Sequence, residues 1–224
     1  MGVATSIAKA VASEGYVVLR AYEQFASPMD AFIKLGVVDE VEGLNTLQIL
    51  TPKRVDEAQP NTYSGNFGIS EFPLHTDLAH WAIPPRYLAL RCEHGSKSVA
   101  TRLVDGELLI KEFGEDVLRM ALVQPRRPMK NGRQLLRLGE RTIGEPSLRL
   151  RWDEIFLKPA NGHGRKIFAS VRGFLASTSP LEVILIDRGD TLVIDNWRWL
   201  HGRSPVGDGS EARKINRAYM RSLV

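Results

Sequence analysis

The chain contains a single cysteine, Cys92, so no disulfide can close within it. Its fold must therefore rest on a packed core, and the expected compartment is the reducing cytoplasm. No run of 18 uncharged apolar residues is present, which removes the usual membrane-crossing helix. The opening segment, MGVATSIAKAVASEGYVVLR, has neither the basic start nor the apolar stretch of a secretory signal. There is no internal repeat, low-complexity tract or linker-like shift in composition, so the 224 residues are expected to form one domain, 1–224. Histidine is also scarce. His75, His80, His94, His163 and His201 are the full set, which leaves few ways to assemble an imidazole site.

Basic charge is what the chain has in excess. Thirty Lys and Arg against 26 Asp and Glu give a net charge of +4, and the surplus is uneven. Arg126, Arg127, Lys130, Arg133, Arg137, Arg141 and Arg149 crowd the tract 119–151, and Arg203, Arg213, Lys214, Arg217 and Arg221 mark the C-terminal end. A solvated surface accounts for most such clusters; the functional reading is attraction of an anionic substrate or partner. Nucleic acid is not the expected partner. The arginines are not interleaved with aromatic stacking residues, and no nucleic-acid motif accompanies them.

Periodicity predicts a helix over residues 5–13, with Ile7, Ala8, Val11 and Ala12 on one stripe, stopped at Gly15 and followed by a strand at 16–19. A second helix is predicted over 28–35, opened by Ser27 and closed at Gly36. Residues 51–70 are polar, carry Pro52, Pro60, Gly65 and Gly68, and read as a long surface loop. From Phe72 onward the pattern turns to short strands: 86–92, 98–104, 134–138, 147–152, 181–186, 191–195 and 216–223. Only 107–119 reads as a later helix. Many short strands punctuated by Gly and Pro indicate a sandwich or barrel with flanking helices.

Chemistry concentrates in Leu74-His75-Thr76-Asp77. On an extended strand, residues two apart face the same side, so His75 and Asp77 present an imidazole and a carboxylate together. The tripeptide is a weak signal by itself, but His201 offers a second imidazole. It follows the apolar strand Thr191-Leu192-Val193-Ile194-Asp195 and arrives where that strand ends. Two histidines and one carboxylate occupy one face of an octahedron and leave positions open for a chelating cosubstrate and oxygen, the arrangement of non-heme Fe(II) oxygenases. His80, three residues beyond Asp77, falls off that face and reads as structural. His94 and His163 lie in Gly-rich stretches that read as exposed loops.

These residues resemble the clavaminate synthase-like branch of the taurine dioxygenase superfamily. The resemblance is carried by Leu74-His75-Thr76-Asp77-Leu78-Ala79-His80 and the following Pro85-Arg86-Tyr87-Leu88-Ala89-Leu90-Arg91-Cys92. It is carried again by Asp195-Asn196, His201-Gly202-Arg203 and Arg213-Lys214-Ile215-Asn216-Arg217. It implies a double-stranded β-helix, a jelly-roll barrel with an open mouth. It implies Fe(II) held by His75, Asp77 and His201, with 2-oxoglutarate and O2 as cosubstrates. Arg213 stands where the family has the arginine that pairs with the distal carboxylate of 2-oxoglutarate, and Thr101 where it has the supporting hydroxyl. Arg217 and Gln48 match positions at which relatives contact substrate. The resemblance also marks differences. The tract 102–179 is pared down, Val206 replaces a frequent phenylalanine, and Asp77 stands where many members have Glu. A carboxylate at that position fills the place a halide would need, so halogenation is not expected.

The implied reaction is oxidative decarboxylation of 2-oxoglutarate coupled to hydroxylation of a small anionic or amino acid-like, carboxylate-bearing substrate. Desaturation or cyclisation on the same scaffold is an alternative outcome. Two further readings are a redox-inert metal enzyme and a basic binding module of jelly-roll fold. The first would need no carboxylate shared by Thr101, Arg213 and Arg217, and in the second altering His75 would leave binding untouched. Oligomeric state is not legible in the sequence.

Overall fold

The computed structural model describes residues 2–127, 132, 134–145 and 147–224. Lys130 and Arg133 of the basic tract lie outside the described residues. In chain order the elements are α1 (Gly2–Glu14), β1 (Tyr16–Leu19), α2 (Pro28–Leu35), β2 (Gly36–Val38), β3 (Gln48–Leu50), a 3-10 turn (Val55–Glu57), α3 (Tyr63–Phe67) and β4 (Phe72–His75). Next come β5 (Tyr87–His94), β6 (Ala100–Asp105), α4 (Glu107–Phe113), α5 (Glu115–Met120), β7 (Leu122–Pro125), β8 (Leu136–Arg137), β9 (Gly139–Arg141) and β10 (Leu148–Leu150). The chain closes with β11 (Leu157–Pro159), α6 (Gly162–Ser177), β12 (Leu181–Ile184), β13 (Thr191–Asp195), β14 (Trp199–Arg203) and β15 (Lys214–Leu223).

Two antiparallel sheets dominate. The larger runs β1-β13-β5-β15-β2, with β3 also paired to β15; the smaller runs β12-β6-β14-β4. Period-2 alternation sorts their side chains to opposite faces. Leu88, Leu90, Leu192, Ile194, Ile215 and Tyr219 of the larger sheet join Leu103, Val183 and Trp199 of the smaller in one core, so the two sheets face each other. On the far face of the larger sheet, Ala89, Val193, Ala218 and Met220 pack under Ile7 and Val11 of α1 and Phe32 and Leu35 of α2. On the far face of the smaller sheet, Val104 and Leu200 pack against Leu118, Trp152, Phe168 and Val171, bringing in α5, α6 and the short ribbons. The order of layers is therefore helices, sheet, sheet, helices. Among the described residues no helix is long and apolar enough to cross a membrane.

Several expectations need correction. The stretch 51–70 is not all loop: it holds the 3-10 turn and α3, whose first N–H groups are capped by Thr62 accepting from Gly65 N at 3.0 Å. The helix expected over 107–119 is two helices, because Gly114 sits at φ +84 and breaks it between α4 and α5. The tract 102–179 also contains α6, which the glycines at 162, 164 and 173 concealed. Asn161 starts it, accepting from Gly164 N at 2.6 Å, and Phe168, Val171 and Leu175 give it a buried stripe. His163 is accordingly in a helix, with its Nε2 3.0 Å from the Val117 carbonyl, and not in an exposed loop. His94, at the end of β5, is exposed.

Part of the basic tract is paired within the protein. Arg151 is buried and donates to the carbonyls of Ala79, Trp81 and Ala82, while Arg149 and Arg151 share Glu140. Arg141 pairs with Glu115. Arg151 thus supports the segment that follows Asp77, whereas Arg126, Arg127 and Arg137 remain exposed.

Candidate metal centre

The centre is built where the smaller sheet brings two histidines together. His201 on β14 lies directly opposite His75 at the end of β4 and Leu103 on β6, so the two imidazoles are cross-strand neighbours with ring centroids 4.6 Å apart. His201 is inside β14, not at the end of β13 as the sequence suggested; residues 196–198 turn the chain into a new strand first. The approach of β4 depends on Gly202. A Cβ there would stand 2.5 Å from the Phe72 carbonyl oxygen.

Asp77 reaches the site differently from the expected strand pleat. β4 ends at His75, and Asp77 sits in the turn beyond it. Thr76 is pinned first: its N–H donates to the Trp152 carbonyl at 2.8 Å, and its hydroxyl accepts from Trp152 N at 3.1 Å. Asn196, fully buried, then clamps Asp77 from both sides of its peptide. Its Oδ1 accepts from Asp77 N at 2.7 Å, while its Nδ2 donates to Asp77 O at 3.0 Å and to Pro85 O at 2.9 Å. Leu78 follows at φ +54.

The result is a compact donor set. His75, Asp77 and His201 are each buried, and one ligand atom from each lies within 4.8 Å of the others. Asp77 Oδ1 is 3.4 Å from His75 Nε2 and 3.7 Å from His201 Nε2. His75 Nδ1 lies 2.9 Å from the Pro73 carbonyl, which can only accept, so that nitrogen carries the proton and Nε2 presents its lone pair to the centre. Tyr63 of α3 stacks on the His75 ring at 4.0 Å between centroids and 21° between planes, fixing the imidazole from outside.

Asp77 Oδ2 points away from the histidines and accepts from Arg217 Nη1 at 3.0 Å and Tyr219 Oη at 3.1 Å. Burial opposes the Asp77 charge, but the Arg217 guanidinium and the two imidazoles outweigh it and hold the carboxyl well below the usual range. Burial also pushes the Tyr219 phenol up, so it remains a donor. At His201 burial prevails and lowers its pKa. At His75 burial is outweighed by Asp77 and Asp153, and the pKa rises.

Five of the seven residues singled out from sequence thus form one network: His75, Asp77, His201, Arg217 and Gln48. Gln48 Oε1 accepts from Arg217 Nη2 at 2.5 Å, and Gln48 Nε2 is buried without a partner among the described residues. Thr101 and Arg213 are both buried but do not hydrogen-bond each other. Thr101 lies on β6 opposite Arg203, two residues from Leu103, and so shares the face that carries His201. Arg213 sits near Cys92 and Arg203; burial lowers its pKa, and its buried Nε has no partner among the described residues. His80 lies off the centre, with its ring 5.8 Å from that of Phe156. Sequence reading missed Tyr219, although its period-2 spacing from Arg217 placed both on one strand face, and it missed the clamp role of Asn196.

No family model matches the sequence, and no curated protein does. Solved structures do match the fold. One is an asparagine oxygenase in complex with Fe(II), 2S,3S-3-hydroxyasparagine and succinate: 13% identity over 97% of this chain and 78% of that one, TM-score 0.71. PvcB of Pseudomonas aeruginosa, described as an Fe, alpha-ketoglutarate dependent oxygenase from an isonitrile synthetic pathway, shares 18% identity over 97% and 79% of the two chains, TM-score 0.69. The non-heme iron oxygenase OrfP, in complex with Fe and L-Arg, shares 19% identity over 98% and 79%, TM-score 0.70. The chain has the fold of these oxygenases.

Proposed function

We propose that this protein is an Fe(II)- and 2-oxoglutarate-dependent oxygenase on a jelly-roll barrel, residues 1–224 acting as one domain, and that it hydroxylates a small carboxylate-bearing substrate such as an amino acid or derivative. The observation that carries this reading is the buried His75–Asp77–His201 donor set, with its two Nε2 atoms and one carboxylate oxygen converging. Imidazole and carboxylate donors suit iron, and the Nδ1–H bond from His75 to Pro73 leaves Nε2 free to ligate. Iron with 2-oxoglutarate and O2 supplies the oxidising chemistry, decarboxylating the cosubstrate to succinate and placing one oxygen atom on the substrate.

The chain's own residues supply binding and orientation. A guanidinium buried without a carboxylate partner is unfavourable unless a ligand provides the counter-charge. Among the described residues Arg213 has no carboxylate partner, and the distal carboxylate of 2-oxoglutarate would satisfy it, with the Thr101 hydroxyl as a second donor. Gln48 Nε2 is likewise a buried donor lacking an acceptor, and it stands beside Arg217. A substrate carboxylate would meet both. The amino acids and hydroxyamino acids bound by the structural neighbours are in keeping with such a substrate.

The test is anaerobic titration of the apoprotein with Fe(II) and 2-oxoglutarate, following the weak visible charge-transfer band of the chelate. The band is expected in the native protein, absent in His201→Ala, and shifted to much higher cosubstrate concentration in Arg213→Ala. A folded, metal-loaded protein without the band would sink the oxygenase reading.

A further inference from the structure

Asp77 can serve a metal in two ways. Through one oxygen it takes one coordination position; through both it takes two. Two histidines and a one-oxygen carboxylate leave three positions of an octahedron, which matches a two-atom chelate plus O2. A two-oxygen carboxylate leaves too few. Something must therefore hold the second oxygen away, and Asp77 Oδ2 has two protein donors. Arg217 Nη1 reaches it at 3.0 Å and Tyr219 Oη at 3.1 Å, while Oδ1 faces both imidazoles.

The two donors are not equivalent. Arg217 is divided between Asp77 and Gln48, through Nε at 3.2 Å and Nη2 at 2.5 Å, so its hold on Oδ2 depends on what else binds that corner. Tyr219 has no such second commitment. Among the described residues its hydroxyl bonds Asp77 alone, and its ring is fixed in the core between the sheets with Leu88, Leu90 and Ile194. Tyr219 lies opposite Leu88 on the central strand pair of the larger sheet, so Oη is placed by the most heavily packed part of the fold.

We propose that Tyr219 is a positioning residue for the metal centre: its hydroxyl holds Asp77 Oδ2 so that only Oδ1 is offered to the iron, keeping a position open for the cosubstrate. The proposal rests on the oxygenase reading above. It separates two functions along one strand, with Arg217 free to answer the substrate and Tyr219 keeping the ligand set constant while it does so.

The experiment is anaerobic titration of native protein, Tyr219→Phe and the control Leu35→Ala with Co(II), then with 2-oxoglutarate, reading the visible absorption of the Co(II) complex. Tyr219→Phe keeps the ring and removes one hydroxyl. Leu35→Ala loosens the helix layer on the far face of the same sheet, away from Tyr219 and Oδ2, and thermal unfolding ranks the two variants for stability. Tyr219→Phe is expected to bind Co(II) about tenfold more weakly, to alter the absorption spectrum of the Co(II) complex, and to need about tenfold more 2-oxoglutarate. Leu35→Ala should leave the spectrum and both affinities near native despite a larger loss of stability. Native spectrum and affinities in Tyr219→Phe would overturn the assignment while leaving the oxygenase reading intact, and so would equal spectral changes in both variants. Failure of the native protein itself to bind Co(II) would remove both.

Discussion

Asn196 is the most exacting test of how the centre is assembled. It is fully buried and makes three hydrogen bonds, accepting from Asp77 N and donating to Asp77 O and Pro85 O. Asn196→Ala would strand one N–H and two carbonyls inside the protein. A buried polar group left unmet costs about 1–3 kcal/mol. Water entering the alanine-sized void would restore part of that, so the net loss is expected at about 4 kcal/mol. For a chain of this length that corresponds to a fall in Tm of roughly 10 °C. The same truncation frees the Asp77 turn, and loss of a group that orients a ligand weakens metal binding by about 10–100-fold. Asn196→Asp is sharper still. It keeps an acceptor for Asp77 N but turns a carboxylate oxygen toward two carbonyls, and is expected to be at least as damaging as alanine. Urea unfolding gives the first quantity and Co(II) titration the second. If both variants stay within 1 kcal/mol of native and bind Co(II) with native affinity, Asp77 is held by something other than this clamp.

Further expectations are independent of that one. Arg213→Met removes a buried, unpaired guanidinium and should stabilise the ligand-free protein by about 1 kcal/mol, while weakening 2-oxoglutarate binding by about 10–100-fold; a variant that loses stability and keeps its affinity would contradict the assigned role. Gly202→Ala drives a Cβ to within 2.5 Å of the Phe72 carbonyl and 3.3 Å of that of Pro73, both backbone atoms. About 3 kcal/mol of stability should be lost, together with metal binding, and unchanged Co(II) affinity would show that the β4–β14 spacing does not set the site. Asp190 gives a pH signature. Burial opposes its charge, but donors from Ala21, Ile186, Arg20 and Asp187 outweigh it and hold its pKa below the ordinary value. A lowered folded pKa means its contribution is complete above about pH 4 and is lost as pH falls through the folded value. Asp190→Asn should therefore flatten the acid limb of unfolding free energy against pH, measured from pH 6 down to 2.5, and an unchanged limb would assign acid sensitivity elsewhere.

What the sequence determined by itself is local and periodic. The apolar run at 191–195 placed β13 without error, Ser27 and Gly36 bounded α2, and residue type alone singled out His75, Asp77 and His201, three groups that the fold brings together. α6 escaped notice because three glycines diluted a stripe that is made real only by burial against Trp152 and Leu118. Gly114 split a helix that periodicity had run together. The roles of the polar residues were decided by tertiary structure alone. Arg149 and Arg151 look in sequence like part of a basic face, yet both are buried on Glu140, and Arg151 is a strut under the segment after Asp77. Arg217 and Gln48 were legible as candidates, but their bond to each other and the hold of Arg217 on Asp77 were not. His75 and Asp77 are two residues apart, yet Asp77 is aimed by Asn196, 119 residues later in the chain. Hydrogen bonds and ion pairs act over a few ångströms in space, and a sequence specifies which groups can make them; only the packing of two sheets decides which groups meet.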